Sequence, residues 1–182
     1  MKKNSVILYI AVSLDGYIAR TDGAVDWLDG VEGEGDNGYG EFYSQVKTVI
    51  MGHKTYEEVL KLADEFPYAG KTCYVLSRQS RENTSHVSFT DEDPETLVSH
   101  LKKVSHGSIW LVGGGQLVKQ FLEKRLIDEL ELYIIPKLIG EGIPLFPEGT
   151  PPADFELTET GQLGQIADRK STRLNSSHLL IS

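Results

Sequence analysis

Apolar residues along the chain fall into short, nearly continuous runs separated by stretches of helical spacing. The runs lie at residues 6–12, 48–51, 72–76, 108–112 and 129–136. Runs of this length are typical of strands that are buried on both faces. Between them, apolar positions recur every three to four residues in segments that begin near Thr55, Pro94 and Gln116. Strands that alternate with helices predict an α/β fold, with a mostly parallel sheet and helices on both faces.

Local signals predict where two helices begin and which loop is functional. Thr55 and Glu58 have the spacing of a capping box, so a helix is expected to start near Thr55. Asp93 followed by Pro94 predicts a second helix start. Residues 20–40 are rich in Gly and Asp and predict a long loop, a feature that is usually functional in a compact domain.

Composition and charge narrow the class of function. The 182 residues have ordinary globular composition and fit one domain. A net charge of −9 offers no positive field to a nucleic-acid backbone. No apolar run approaches the roughly 20 residues that span a bilayer, and the N-terminus lacks a signal-peptide pattern, so we expect a cytoplasmic protein. The lone Cys73 is expected to be a buried thiol, and the scattered histidines predict no metal site.

Three predicted strand ends carry residues suited to an anion. Residues 113–115 are three consecutive glycines between a strand and a helix, where the backbone can approach a phosphate closely. Residues 52–55 combine a glycine, two potential cations and a hydroxyl, and residues 76–78 end in Ser77 and Arg78. Each motif alone also fits an ordinary solvated turn. Together, at the carboxyl ends of one parallel sheet, they predict a dinucleotide that carries an extra phosphate.

The order and spacing of four motifs resemble the dihydrofolate reductase superfamily. These motifs lie at residues 10–19, 49–57, 76–78 and 112–117. The S-L-D-G spelling at residues 13–16 and the segment 140–146 are more similar to its other branch, the C-terminal reductase domain of bacterial riboflavin biosynthesis (RibD) and its free-standing relatives. The resemblance covers about residues 6–164. It implies a three-layer dihydrofolate-reductase-like fold in a domain of residues 1–167.

The resemblance also implies NADPH as cofactor and assigns residues to it. Ala11 and Ile18 are placed against the nicotinamide, and His53 stands where the family usually has an arginine. Because histidine is a weaker, titratable phosphate partner, discrimination for NADPH over NADH rests on Arg78 and Lys54. The full set implied is Ala11, Ile18, Gly52, His53, Lys54, Thr55, Leu76, Ser77, Arg78, Val112, Gly113, Gly114, Gly115, Gln116 and Leu117.

The proton donor stays open in the sequence. Dihydrofolate reductases proper use one buried carboxylate at the start of the helix that precedes the V-I-M-G strand. Asp36 and Glu41 are the candidates here, although Asp36 also fits a helix cap and Glu41 a solvated side chain. Asp15 fits a turn, and Asp26 is an outside candidate.

The resemblance implies reduction of a small pyrimidine or pterin-type heterocycle, similar to the 5-amino-6-(5-phosphoribosylamino)uracil reductase reaction. One alternative is a dihydrofolate reductase in the strict sense. Another, of a different class, is a nucleotide-binding module without turnover. The resemblance also implies a homodimer that pairs through the late strands, within residues 129–164.

Residues 168–182 break the pattern of the rest of the chain. They are polar, lack any period and look like a translated sequencing adapter. The sequence therefore predicts an anomalous tail, an assembly artefact from which function should not be inferred.

Overall fold

The computed structural model describes residues 4–174. Within them the helices are α1 (Tyr39–Gln45), α2 (His53–Leu62), α3 (Pro94–Val104) and α4 (Gly115–Glu123), with a short 3-10 turn at Asp26–Leu28. The strands are β1 (Val6–Ser13), β2 (Tyr17–Ala19), β3 (Val46–Gly52), β4 (Thr72–Leu76), β5 (Ser88–Thr90), β6 (Ser108–Gly113), β7 (Glu129–Ile135), β8 (Ile143–Pro144), β9 (Phe155–Leu163) and β10 (Ile166–Arg173).

Eight of these strands form one sheet, in the order β5-β4-β3-β6-β1-β7-β10-β9. The six strands from β5 to β7 pair in parallel, whereas β10 runs antiparallel to both β7 and β9. The short strands β2 and β8 pair separately beside the end of β1. The predicted α/β fold with a mostly parallel sheet is confirmed.

Helices cover both faces of this sheet. On one face, α3 and α4 pack Leu97, Val118 and Phe121 against β1 and β6, each side chain at most 2% exposed. On the other face, Phe42 of α1 and residues of α2 pack against Trp110 and the neighbouring strands. Strands buried from both sides need apolar residues at every position, which explains the continuous runs in the sequence.

Two helix starts were predicted from capping residues, and the structure shows the predicted cap in only one of them. Asp93 caps α3, because its carboxylate accepts a hydrogen bond from the Glu95 N–H at 2.9 Å. The helix predicted to start near Thr55 is present, but Thr55 does not cap it. The helix α2 begins two residues earlier, after an extended Gly52, and no side chain caps it. Glu58 instead accepts a bond from Lys61 Nζ at 2.7 Å.

The final strand runs through residues for which the sequence predicted no structure. β10 lies between β7 and β9 and reaches Arg173, so residues 168–172 are paired on both sides. Asp168 is 7% exposed there, and its Oδ1 has no hydrogen-bond partner among the described residues. A buried carboxylate oxygen without a hydrogen-bond partner is costly. That residues 168–182 form an anomalous tail stays a prediction, and residues 175–182 lie outside the described range.

Candidate active site

The predicted anion-binding motifs meet at one edge of the sheet. β4, β3 and β6 are neighbours, and the register pairs Gly52 with Leu76 and Met51 with Gly113. A Cβ added to Gly52 would lie 3.8 Å from the Gly113 carbonyl oxygen, and one added to Gly114 would lie 3.3 Å from Thr55 Oγ1. The structure therefore brings the glycine turn into contact with residues 52–55, and residues 76–78 follow the next strand.

Two helices begin at this edge with free N-terminal ends. Neither α2 nor α4 has a side chain that caps its N-terminus, and neither carries an acidic residue in its first turn. Their first backbone N–H groups and the positive ends of their dipoles are thus uncompensated by the described side chains. This combination suits a diphosphate, because an anion can accept bonds from both helix ends.

The side chains predicted to bind phosphate differ in how they are held. Lys54 and Arg78 are exposed, as expected for cations that meet a ligand from solvent. His53 is half-buried, with Nε2 3.6 Å from Glu57 Oε1. The Ser77 hydroxyl donates to the Gln79 carbonyl at 3.0 Å and accepts from the Gln79 N–H at 3.2 Å, so it shapes its own turn.

Several residues assigned to the cofactor have side chains that pack in the core. Leu117 is 7% exposed and belongs to the cluster beneath α3 and α4. Ile18 and Leu76 pack against the same cluster, and Val112 packs on the opposite face. Gln116 is exposed in the first turn of α4. The cofactor contacts predicted for these residues stay predictions.

A cavity of about 280 Å³ opens on the face of the sheet that carries α1 and α2. It is lined by residues of β1, β7, β10, α1 and the long loop: Tyr9, Ala11, Leu28, Val31, Asp36, Asn37, Tyr39, Tyr133, Ile135 and Ile166. Ala11 is the wall residue that the resemblance placed against the nicotinamide. The cavity is therefore a candidate for the substrate pocket.

Three tyrosines give the cavity aromatic walls that sequence reasoning missed. The Tyr9 ring lies 4.8 Å from the Tyr133 ring and 6.2 Å from the Tyr39 ring, measured between centroids. Behind it, Tyr9 stacks on Phe42 at 3.9 Å. Tyr9 and Ala11 alternate along β1, and Ala11 pairs with Tyr133 of β7. The alternation of Tyr9 and Ala11 is visible in the sequence, but it indicates a shared aromatic wall only once the pairing of β1 with β7 is known.

A buried carboxylate lies behind Tyr133. The Tyr133 hydroxyl donates to Glu131 Oε1 at 2.7 Å, and Glu131 is only 7% exposed. Burial raises the pKa of Glu131, although the bond from Tyr133 opposes this change. Burial also raises the pKa of Tyr9 to about 12 and raises the pKa of Tyr133, so both phenols keep their protons at neutral pH.

The two candidate acids occupy different places. Asp36 is exposed at the open side of the cavity, where its two carboxylate oxygens accept bonds from the Gly38 and Gly40 N–H groups at 3.0 and 2.8 Å. Glu41 is exposed on α1 and is not one of the cavity's lining residues. The structure thus brings Asp36 to the cavity but not Glu41, and the catalytic role of either stays a prediction.

The other carboxylates that the sequence raised have structural partners. Asp15 accepts bonds from the Ser13 hydroxyl at 2.6 Å and the Gly140 N–H at 2.8 Å, and these bonds lower its pKa. It joins the end of β1 to the loop that follows β7. Asp26 pairs with Arg20 at 2.6 Å, and this hydrogen bond lowers the pKa of Asp26.

Other kinds of site have no candidates in the part of the chain that is described. Residues 4–174 contain no group of three or more His, Cys, Asp or Glu side chains that could hold a metal ion. No helix within that range is long and apolar enough to cross a membrane.

Comparison with known proteins gives a consistent picture. The family model for the RibD C-terminal domain matches residues 4–167. The uncharacterized protein YwjB of Bacillus subtilis is 46% identical over 164 residues, which cover 90% of this chain and 94% of YwjB. The structure of a Shewanella sp. PV-4 protein assigned to riboflavin biosynthesis matches with a TM-score of 0.86 and 29% identity, covering 94% of this chain and 99% of that one.

A more distant structure shares the fold alone. Dihydrofolate reductase from Enterococcus faecalis, solved in complex with NADP(H) and RAB-propyl, matches with a TM-score of 0.68 and 18% identity. The match covers 94% of this chain and 98% of that one. The three-layer dihydrofolate-reductase-like architecture is thereby confirmed.

Proposed function

This chain belongs to the RibD C-terminal domain family, and on that premise we propose that it is an NADPH-dependent reductase of a pyrimidine or pterin-type heterocycle. Membership of this family supports a reductase-like role. The choice of NADPH as cofactor and the class of substrate go beyond what family membership supports. They are supported by the edge of the sheet and by the cavity beside it.

One observation carries the proposal: two uncapped helix N-termini and a glycine turn meet at the edge of the sheet, and β1 leads from that edge into a cavity with aromatic walls. Ile10 of β1 is the side chain nearest to a Cβ added at Gly113, at 3.7 Å, whereas its neighbour Ala11 lines the cavity. A cofactor held at the edge would thus have its reacting end beside Ala11. The related fold of Enterococcus faecalis dihydrofolate reductase is solved with NADP(H), which agrees with this arrangement.

The residues present fit the cofactor in chemical type. The open space at Gly114 admits a pyrophosphate that a side chain would exclude, and the first N–H groups of α2 and α4 would bind it. Arg78 and Lys54 would bind the 2′-phosphate. When bound, the cofactor supplies the hydride. The cavity walls would orient the heterocycle, and a proton would reach it from Asp36 or from an ordered water.

The test compares the affinities for NADPH and NADH. We expect NADPH to bind at least about tenfold more tightly, because charge-assisted hydrogen bonds to the 2′-phosphate contribute roughly 1.5–3 kcal/mol. Arg78→Ala should erase most of this preference. Arg81→Ala is the matched control, since Arg81 is exposed on the same loop and lies 3.4 Å from Gln79 Oε1. Equal dissociation constants for the two cofactors in the unmodified protein would contradict the assignment.

Turnover separates the enzyme from its main rival. A nucleotide-binding module without activity gains weight from His53, which replaces the family's usual phosphate-binding arginine. NADPH oxidation on addition of dihydrofolate or of a 5-aminouracil derivative supports the reductase. Tight NADPH binding without oxidation by either class of substrate favours the module.

A further inference from the structure

We propose that the cavity selects a planar ring that carries no phosphate and is neutral or positively charged, and that it excludes phosphoribosylated pyrimidines. This inference rests on the proposed function in taking the cavity as the substrate pocket. It departs from the reaction that the family name suggests, because a ribosyl phosphate brings about two negative charges into the site. The walls, the buried carboxylate and the loop at the mouth each support it.

The walls favour a flat, apolar ring. Three of the ten lining residues are tyrosines, and five more are the apolar residues Ala11, Leu28, Val31, Ile135 and Ile166. Aromatic side chains contact planar rings in stacked or edge-on geometries. The volume of about 280 Å³ is at or below the low end of roughly 300–1,000 Å³ for small-molecule pockets. The space therefore encloses a small ring system, and a sugar phosphate attached to that ring would extend through the open side of the cavity.

The charges around the cavity are negative. No lysine or arginine is among its lining residues in the described chain, whereas Asp36 lies at its open side. Glu131 is buried behind Tyr133, and Lys170 Nζ lies 3.8 Å from its Oε1, so Asp36 is the acidic group at the cavity for which no cation is within ion-pair distance among the described residues. Sites that bind phosphate use Arg, Lys or a helix N-terminus. The uncapped N-termini of α2 and α4 lie at the edge of the sheet where we place the cofactor, and no residue of either helix lines the cavity.

The loop that forms the mouth adds to this field. Residues 20–38 carry six carboxylates and one arginine: Asp22, Asp26, Asp29, Glu32, Glu34, Asp36 and Arg20. The arginine is held by Asp26 through two bonds of 2.6 and 3.0 Å. The nearby Lys137 donates to the Asp29 carbonyl at 3.0 Å. Asp36 is the carboxylate of this loop that lines the cavity, so a phosphate that projects from the open side would meet its charge. A protonated ring nitrogen would instead be attracted to Asp36 and would also benefit from the tyrosine faces.

The experiment compares uridine with uridine 5′-monophosphate, which differ only in the phosphate, and adds a base without a sugar as a third ligand. Uridine, uridine 5′-monophosphate and 2,4-diaminopyrimidine are titrated by calorimetry into the full chain without cofactor. The same titrations on Ala11→Leu, which fills the cavity, define the part of the binding that occurs there. We expect cavity binding of uridine to be about tenfold tighter than that of the monophosphate, and diaminopyrimidine to bind as well. Equal or tighter binding of the monophosphate overturns the proposal, and so does a cavity that binds none of the three.

A charge variant tests the cause of the selectivity. The double change Glu34→Gln and Asp36→Asn removes two charges of this loop: Asp36 lines the cavity, and the Glu34 carboxylate accepts a bond from the Gly164 N–H at 3.4 Å. The amide oxygen introduced at position 36 can still accept a bond from the Gly38 or Gly40 N–H group. We expect the uridine-to-monophosphate ratio to fall severalfold towards one. Glu123→Gln, at the end of α4 on the opposite face of the sheet, should leave it unchanged. An unchanged ratio in the double variant contradicts the electrostatic argument.

Failure of this inference can be told apart from failure of the proposed function. NADPH oxidation driven by a phosphoribosylated pyrimidine contradicts the substrate class and supports the reductase. Loss of any NADPH binding, with selectivity for uridine preserved, contradicts the cofactor assignment and leaves the substrate class standing.

Discussion

A methyl group at Gly114 should separate cofactor binding from folding, because the three glycines of the turn differ in what they tolerate. Gly113 has φ +127°, where any side chain is strained. A Cβ at Gly115 would collide with the Pro144 carbonyl oxygen. Gly114 has φ −84° and ψ −169°, an extended conformation open to all residues. Its added Cβ would meet Thr55 Oγ1 at 3.3 Å and nothing else within 4 Å that is not a chain neighbour.

The magnitudes follow from this geometry. Gly→Ala at a compatible conformation stabilises a protein by about 0.4–1 kcal/mol through the unfolded chain, and the close contact with Thr55 offsets part of that gain. We expect the free energy of unfolding of Gly114→Ala to stay within about 1 kcal/mol of the unmodified protein. NADPH affinity should fall at least about tenfold, or about 1.4 kcal/mol, because the methyl group occupies the space of the pyrophosphate. Gly114→Val should abolish binding.

Two measurements and two controls make this prediction sharp. Urea unfolding gives the stability and NADPH fluorescence gives the affinity. Gly70→Ala is the neutral control, since an added Cβ meets nothing within 4 Å. Gly115→Ala is the opposite control and should lose about 1–3 kcal/mol of stability through overpacking. If both Gly114 variants fold and bind NADPH normally, the glycines form only a turn and the argument for the cofactor edge fails.

Two further predictions concern buried titratable groups. Burial raises the folded-state pKa of Glu131, so the stability it contributes is fully present below its ordinary pKa of 4.5 and is lost as the pH rises through the folded value. We therefore expect the free energy of unfolding of Glu131→Gln, measured in urea titrations, to rise relative to that of the unmodified protein between about pH 4 and about pH 8. A difference between the two proteins that does not change with pH would refute the raised pKa of Glu131. Burial raises the pKa of Cys73 from 9.0 to about 11, so at about pH 8 its reaction with a disulfide reagent should be about a hundredfold slower in the folded chain than in guanidinium. Equal rates would mean that the thiol is exposed.

That the glycine motifs meet at one edge of the sheet, where we propose that the cofactor binds, could be predicted from the sequence because the signals are local. Gly52 to Thr55 and Gly113 to Gly115 follow directly after strands, and parallel strands place their carboxyl ends together without further information. The strands themselves were recognisable because burial on both faces demands continuous apolar runs, as in β1 and β3. What failed here was the capping box at Thr55. The helix starts directly at the strand end, and a short spacing pattern carries no information about that tertiary context.

The cavity could not be predicted, because its walls come from distant parts of the chain. Tyr9 lies opposite Glu131, and Ala11 lies opposite Tyr133, across pairs that are far apart in sequence. The apolar pattern predicts the strands, but it does not predict that β7 is the neighbour of β1 in the sheet. The strand β9 was predicted in part, as a late strand over residues 155–160, but β10 was not. Most residues of β10 are polar, so it lacks the apolar pattern from which strands are recognised.

The proposed cofactor site and the cavity are built by different helices and strands, which suggests how one fold can serve different substrates. The cofactor edge is built by β3, β4, β6 and the helices α2 and α4, whereas the cavity walls come from β1, β7, β10, α1 and the loop of residues 20–38. β1 joins the two, with Ile10 facing the glycine turn and Ala11 facing the cavity. On the proposed function, changes in the tyrosines or in residues 20–38 would therefore alter which ring is accepted without moving the glycine turn. A family member would in this way keep the cofactor chemistry while losing affinity for a phosphorylated substrate, as we propose for this chain.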